Sequence, residues 1–243
     1  WLGCATLSHE IRRATLQQVE AGLTQVKLGW WQTALAASKQ QTAQHPVILA
    51  IGQDVVNQVG DGHWADLINA GVDACEPQRY ERFDAWSNHL YELAKPWEQV
   101  LNAGLGSENG GELIQFWVHS IQLTQVLRLA KYVDQNFQPL PVDALARFNV
   151  TANDLKNRKY TAGTAQLLNE VGLNIEAQAE QAWRALPATL RLKARPMRAL
   201  FLMRKAEMQL HRKEQFTHVL SEQKVLSPGR KFWISWKTQV LRS

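Results

Sequence analysis

Residues 114–150 read IQFWVHSIQLTQVLRLAKYVDQNFQPLPVDALARFNV, and the first half of that stretch decides the fold class. Leu113, Ile114, Phe116, Trp117, Val118, Ile121, Leu123, Val126, Leu127, Leu129 and Val133 put apolar side chains on nearly every face of a helix over residues 113–133. A helix apolar all round is the buried centre of a large helical domain. Only Gln115, His119, Gln122, Gln125, Arg128 and Lys131 interrupt it. A polar group held inside such a helix must be hydrogen-bonded or touch a ligand. Gln122, Gln125 and Arg128 follow one another at spacings of three and share a face. They are therefore candidates for the polar floor of a cavity, with hydrogen bonds to neighbouring helices as the competing role. The turn Pro139-Leu140-Pro141 ends the stretch, and a new helix starts at Val142-Asp143.

Outward from this centre, proline and glycine cut the chain into helix-length pieces, and no segment alternates with a period of two. The apolar pattern predicts helices over 4–17, 19–39, 47–59, 63–75 and 80–101, the last kinked at Pro96. Beyond Val150 it predicts helices over 151–158, 161–186, 188–213 and 227–241. The glycine-rich stretch Gly104–Gly111 is not a phosphate loop, because no Gly-Lys-Ser/Thr follows it. There is no internal repeat, linker or low-complexity tract. The expectation is an all-α protein with one domain spanning 1–243.

Composition agrees with this. A chain of 243 residues with 45% hydrophobic content buries one sizeable core. No run approaches the roughly 18 apolar residues of a membrane span. The start, Trp1-Leu-Gly-Cys, shows no signal peptide and no initiator Met, so the natural start is expected upstream. Two cysteines, Cys4 and Cys75, form neither a disulfide framework nor a CxxC pair, and a cytoplasmic location is expected. Nor do the histidines show metal-ligand spacing. No nucleophile elbow supports hydrolase chemistry.

The net charge of +5 conceals a split between the two ends of the chain. Residues 1–185 carry 14 Lys/Arg against 19 Asp/Glu, whereas residues 186–243 carry 13 against 3. Such asymmetry points to an anionic partner for the C-terminal part, or to a solvated basic helix face. Bulk charge alone argues for nucleic acid, which is set aside. Arg230, Lys231, Trp233, Trp236 and Lys237 combine cations with indoles on one predicted helix, a pattern suited to contact with a membrane surface. The same letters also describe a helix packed on a bundle with its basic face outward.

Several short motifs carry a family resemblance. Ile121-Gln-Leu-Thr-Gln-Val-Leu-Arg128, then Leu140-Pro141, then Ala146-Arg147-Phe148-Asn149-Val150 resemble the Gln-Leu-Thr-Asn-Ile-x-Arg-Asp helix, the Tyr-Leu-Pro turn and the Phe-Gly-Val ending of the squalene/phytoene synthases. Lys27-Leu28 with Trp30-Trp31, His45-Pro46-Val47, the turn Glu76–Tyr80, Leu186-Pro187 with Arg191, and the basic tryptophan-bearing tail are similar to further motifs of that family in the same order. The resemblance implies an isoprenoid-synthase-type helical bundle around a central cavity. Members join two prenyl diphosphates head to head with Mg²⁺, which needs clustered carboxylates on facing helices.

The resemblance fails at those carboxylates. The family's Asn falls on Gln125, and the two metal-binding aspartates of its second acidic motif fall on Leu129 and Val133. Asp134 is the only acid nearby, one residue out of register. The first acidic motif belongs within residues 4–17, where Glu10 precedes Arg12-Arg13 and no aspartate occurs. The chain thus resembles a non-catalytic branch of the family, with no metal site and no cofactor expected. It would bind a prenyl lipid, a prenyl diphosphate or a protein partner around Gln122, Gln125, Arg128, Tyr80, Glu10 and Arg13, with Arg12 or Arg13 able to grip an oxyanion without metal. The alternative is an active prenyl transferase with a non-standard Mg²⁺ site, which requires Glu10 and Asp134 to face one another. A third reading is an assembly factor at the membrane surface acting through residues 186–243.

Overall fold

The computed structural model describes residues 21–39, 45–51, 59, 61–74, 78–105, 110–135, 137–221 and 224–240. Among these, every regular element is a helix. In order they are α1 (Ala21–Lys39), α2 (Pro46–Ile51), α3 (Asp61–Asp73), α4 (Phe83–Ala94), α5 (Trp97–Leu105), α6 (Gly110–Leu127) and α7 (Leu129–Asp134). There follow α8 (Val142–Arg147), α9 (Ala152–Lys156), α10 (Ala162–Ala185), α11 (Ala188–Lys193), α12 (Arg195–Lys213) and α13 (Pro228–Val240). The predicted helix over 4–17 lies outside the described residues, and that over 47–59 is described only to Ile51, with Val59 alone beyond. The chain divides into two compact units, Trp1–Glu76 with Tyr91–Ile114, and Pro77–Leu90 with Gln115–Ser243.

The first unit is built on α1, α2, α3 and α5. Leu28, Trp31 and Leu35 of α1 recur at helical spacing and bury against Ile48, Trp64, Leu67, Ile68 and Val100. The His45-Pro46-Val47 start of α2 has a clear physical basis. The Val47 N–H donates to His45 Nδ1 at 3.3 Å, an imidazole standing in for the usual N-cap oxygen, while Pro46 opens the helix without losing a needed donor. The His45 ring also meets Trp31 edge-on, at 4.8 Å between centroids. At the other end of the unit, Asn102 Oδ1 accepts from the Gly110 N–H at 2.7 Å. A Cβ on Gly110 would lie 2.8 Å from the Glu98 carbonyl oxygen, so only glycine lets α6 begin there.

In the second unit α10 and α12 pack as long antiparallel neighbours, with α13 laid along α12. α10 starts on a reciprocal cap, Thr161 Oγ1 accepting from the Thr164 N–H while the Thr164 hydroxyl accepts from the Thr161 N–H. Its buried face runs from Leu167 and Leu168 through Val171 and Ile175 to Ala179 and Trp183, and Met208 of α12 lies against Gly172 on it. The Phe116, Trp183 and Phe201 rings cluster at 5.0 and 5.3 Å between centroids. The Arg198 guanidinium lies 5.2 Å from the Trp183 ring and adds a cation–π contact.

Two predicted helices are broken. The central one stops at Leu127 and resumes at Leu129, because Arg128 has φ −112 and ψ 24. Just before the break, Thr124 Oγ1 donates back to the Ser120 carbonyl at 2.8 Å, a bond that competes with the helical ladder and bends it. The predicted helix over 188–213 breaks at Ala194, since Pro196 has no N–H and its ring crowds the preceding turn. Pro96 splits the 80–101 pattern into α4 and α5, as its position predicts.

Candidate functional site

The polar residues of the central helix define the place to look. Gln122 is fully buried, and Gln125 and His119 nearly so. Gln125 Oε1 accepts from the Trp86 indole N–H at 2.9 Å, and Gln122 Nε2 donates to Ser87 Oγ at 2.9 Å. Gln122 Oε1 lies 2.8 Å from His119 Nδ1, which makes that nitrogen the protonated one. A carbonyl oxygen can only accept. Burial lowers the His119 pKa below its ordinary value, and the bond to Gln122 offsets only part of this. The imidazole is therefore neutral near pH 7. Each glutamine is thus hydrogen-bonded separately to α4, Gln125 through Trp86 and Gln122 through Ser87.

Tyr80 is buried beside the Trp86 and His89 rings. Burial, then the neighbouring Tyr132, push its phenol well above its ordinary pKa, so it stays neutral. Its carbonyl accepts from the Val142 N–H at 2.8 Å, and that of Glu81 accepts from Asp143, so the turn after Glu76 fastens the start of α8.

Arg128 differs from the glutamines. It sits in the break between α6 and α7, partly buried, with its Nε enclosed and without a hydrogen-bond partner. Burial lowers its pKa, the adjacent charge of Arg204 lowers it further, and Tyr132 and Glu207 act the other way. Arg204 is already engaged, donating to the buried Glu207 carboxylate at 2.7 Å. Arg128 thus lies near a second guanidinium whose own carboxylate, Glu207, is already engaged.

Asp134, the only acid at the end of that helix, points away from any such cluster. Its two carboxylate oxygens accept from Arg158 Nη2 at 3.1 Å each, and both side chains are about half exposed. Among the described residues no group of three or more Asp, Glu, His or Cys is placed to share a metal ion. Glu10, Arg12 and Arg13 lie outside the described residues. The described residues therefore do not fit a Mg²⁺–diphosphate site.

Residues 6–230 match the family model for squalene/phytoene synthase. The chain belongs to the squalene/phytoene synthase family. Its all-α architecture is that of the family's isoprenoid-synthase-type fold. No curated protein matches the chain. Membership gives particular positions a meaning. Leu129, where the sequence resemblance would place one of the family's aspartates, is fully buried. Asn149, in place of glycine in the Phe-Gly-Val ending, has φ 53, a left-handed conformation that asparagine tolerates better than other side chains.

Sequence reasoning missed the charged seam between α10 and α12. Arg212 Nη2 lies 2.7 Å from Glu176 Oε1, an ion pair whose angle falls short of a hydrogen bond, and Arg212 Nε donates to Asn169 Oδ1 at 3.0 Å. Glu180 takes Arg198 and Lys205; burial alone would raise its pKa, but the two cations hold it below the ordinary value. The spacing of three between Arg204 and Glu207 was a legible signal. The partners on α10 had none. Arg230, Trp233, Trp236 and Lys237 are exposed on α13, and Lys231 is partly buried.

Proposed function

We propose that this family member is catalytically degenerate and acts by binding, holding a prenyl lipid or a protein partner where its relatives condense prenyl diphosphates. The observation that carries the reading is Asp134, whose carboxylate is turned outward onto Arg158 while Leu129 fills a ligand position with buried hydrocarbon. Lone carboxylates give Mg²⁺ too few oxygen ligands to bridge protein and diphosphate. Gln122 and Gln125 are committed to α4 and offer a ligand little.

Arg128 is what remains for an anionic head group. Its enclosed, unbonded Nε and the neighbouring charge of Arg204 favour an oxyanion such as a prenyl phosphate, bound without metal. Binding of this kind stabilises the ground state alone and accelerates nothing.

The test is to incubate the protein with farnesyl or geranylgeranyl diphosphate and Mg²⁺ and to measure diphosphate release, alongside calorimetric binding without metal. The expected result is no release above the blank, with metal-independent binding that Arg128→Gln weakens about tenfold or more, the loss of one charge-assisted hydrogen bond. Mg²⁺-dependent release would overturn the degenerate reading. Absence of prenyl diphosphate binding would leave the protein partner as the occupant.

A further inference from the structure

We infer that the outer face of α13 docks the protein onto an anionic lipid surface. At about 100° per residue, Lys231, Ile234, Ser235 and Thr238 fall on one side of this helix and Phe232, Trp233, Trp236 and Val240 on the other. Burial follows the same division. Thr238 is buried and its three neighbours on that side partly so, whereas Phe232 is 71%, Trp233 57%, Trp236 45% and Val240 54% exposed. Trp233 and Trp236 stack at 5.2 Å between centroids, forming one continuous aromatic surface. Arg230 and Lys237 run along one flank of this stripe, and among the described residues neither forms an ion pair.

The helix is held as a platform at both ends. Arg195 of α12 donates to the Gln239 carbonyl at 2.7 Å. Ahead of α13, the Leu226 N–H reaches Glu207 Oε1 at 3.5 Å. The outward aromatic side chains are thus presented by a docked helix, which lowers the ordering cost of inserting them.

Charge chooses the occupant. Residues 224–240 contain no Asp or Glu, and residues 186–243 hold 13 Lys/Arg against 3 Asp/Glu. A second copy meeting this face symmetrically would bring Arg230 and Lys237 of both copies together with no acid to neutralise them. Anionic headgroups supply that neutralisation, and indole rings favour the boundary between headgroups and acyl chains. Thirteen residues of helix extend about 20 Å, too short for a hydrocarbon core of about 30 Å. No described helix is long and apolar enough to cross a membrane, so the contact lies in the plane of the surface. Nothing here depends on the absence of catalysis.

The experiment is flotation of the whole chain with vesicles of phosphatidylcholine alone and of phosphatidylcholine mixed with phosphatidylglycerol. Binding is expected only to the mixed vesicles, weakening with salt, and with quenching of tryptophan fluorescence by brominated acyl chains. Replacing both cations (Arg230→Gln with Lys237→Gln) should weaken binding about thirtyfold, as each basic residue near an anionic surface contributes about a factor of five. Trp233→Ser with Trp236→Ser should abolish the quenching while circular dichroism stays unchanged. Absence of binding to the mixed vesicles, or equal binding by the doubly neutralised variant, would overturn the inference. So would a dimer on sizing that Trp233→Ser dissociates while vesicles remain unbound, which assigns the face to a second copy.

Discussion

Replacing Gln125 with leucine distinguishes a structural glutamine from one that serves a ligand. The side chain is 6% exposed and its Oε1 accepts from the Trp86 indole at 2.9 Å, with Trp86 itself fully buried. Leucine keeps most of the volume and removes the acceptor, leaving the indole N–H enclosed and unpaired. Such a group costs about 1–3 kcal/mol. Taking about 2 kcal/mol, and about 2–4 °C of Tm per kcal/mol for a chain of this size, the melting temperature should fall by roughly 4–8 °C. Trp86→Phe removes the donor, strands the amide oxygen and leaves a cavity, so it should cost at least as much. The double variant lacks both partners and should be more stable than the sum of the two losses predicts, by about 1–2 kcal/mol. Urea denaturation followed by circular dichroism measures all four corners of this cycle. If Gln125→Leu is neutral or stabilising and instead reduces affinity for a prenyl diphosphate, the glutamine belongs to a ligand and the reasoning fails.

Acid should destabilise the fold through His119 and His211. Burial is the main cause lowering both from the ordinary imidazole value of 6.5. The unfolded chain therefore binds protons in a range where the folded chain does not, so their contribution is fully present above about pH 6.5 and is lost as pH falls through the lowered folded values. Melting curves against pH should show this loss, and His119→Gln should flatten part of it; stability that rises on acidification through that window would refute the assignment. Glu207→Ala should cost about 3 kcal/mol, because it leaves Arg204 uncompensated beside Arg128, at the low end for a broken buried pair since Arg204 is partly exposed. It also frees the Leu226 N–H, so hydrogen exchange there should speed up; an unchanged Tm and exchange rate would contradict the role given to this carboxylate.

What could be read from the sequence was what is local along the chain. Apolar side chains at helical spacing in Leu28, Trp31 and Leu35, or in Leu167, Val171 and Ile175, name their buried face without reference to anything distant. Pro96 splits its helix because the missing N–H and the ring act within one turn. The break at Arg128 was not legible, as it needs the Thr124 hydroxyl to turn back onto Ser120 in preference to solvent. For the site, the sequence singled out Gln122, Gln125 and Arg128 together, since periodicity gives them a common face. It could not separate them. Their difference rests on Trp86 and Ser87, which arrive 39 and 35 residues earlier in the chain, and on Arg204, which arrives far later. Long-range pairing leaves no mark on local spacing.

Leu129, where the family resemblance places a metal-binding aspartate, bears on the whole central helix. In a metal-binding relative, a carboxylate at this position is compensated by the ion it holds. Here the position is fully buried. An aspartate placed at this position would be an enclosed carboxylate, with Arg158 engaged by Asp134 and Arg204 by Glu207. It would stay protonated or destabilise the helix. The apolar residue is thus part of the core and not a vacant ligand position.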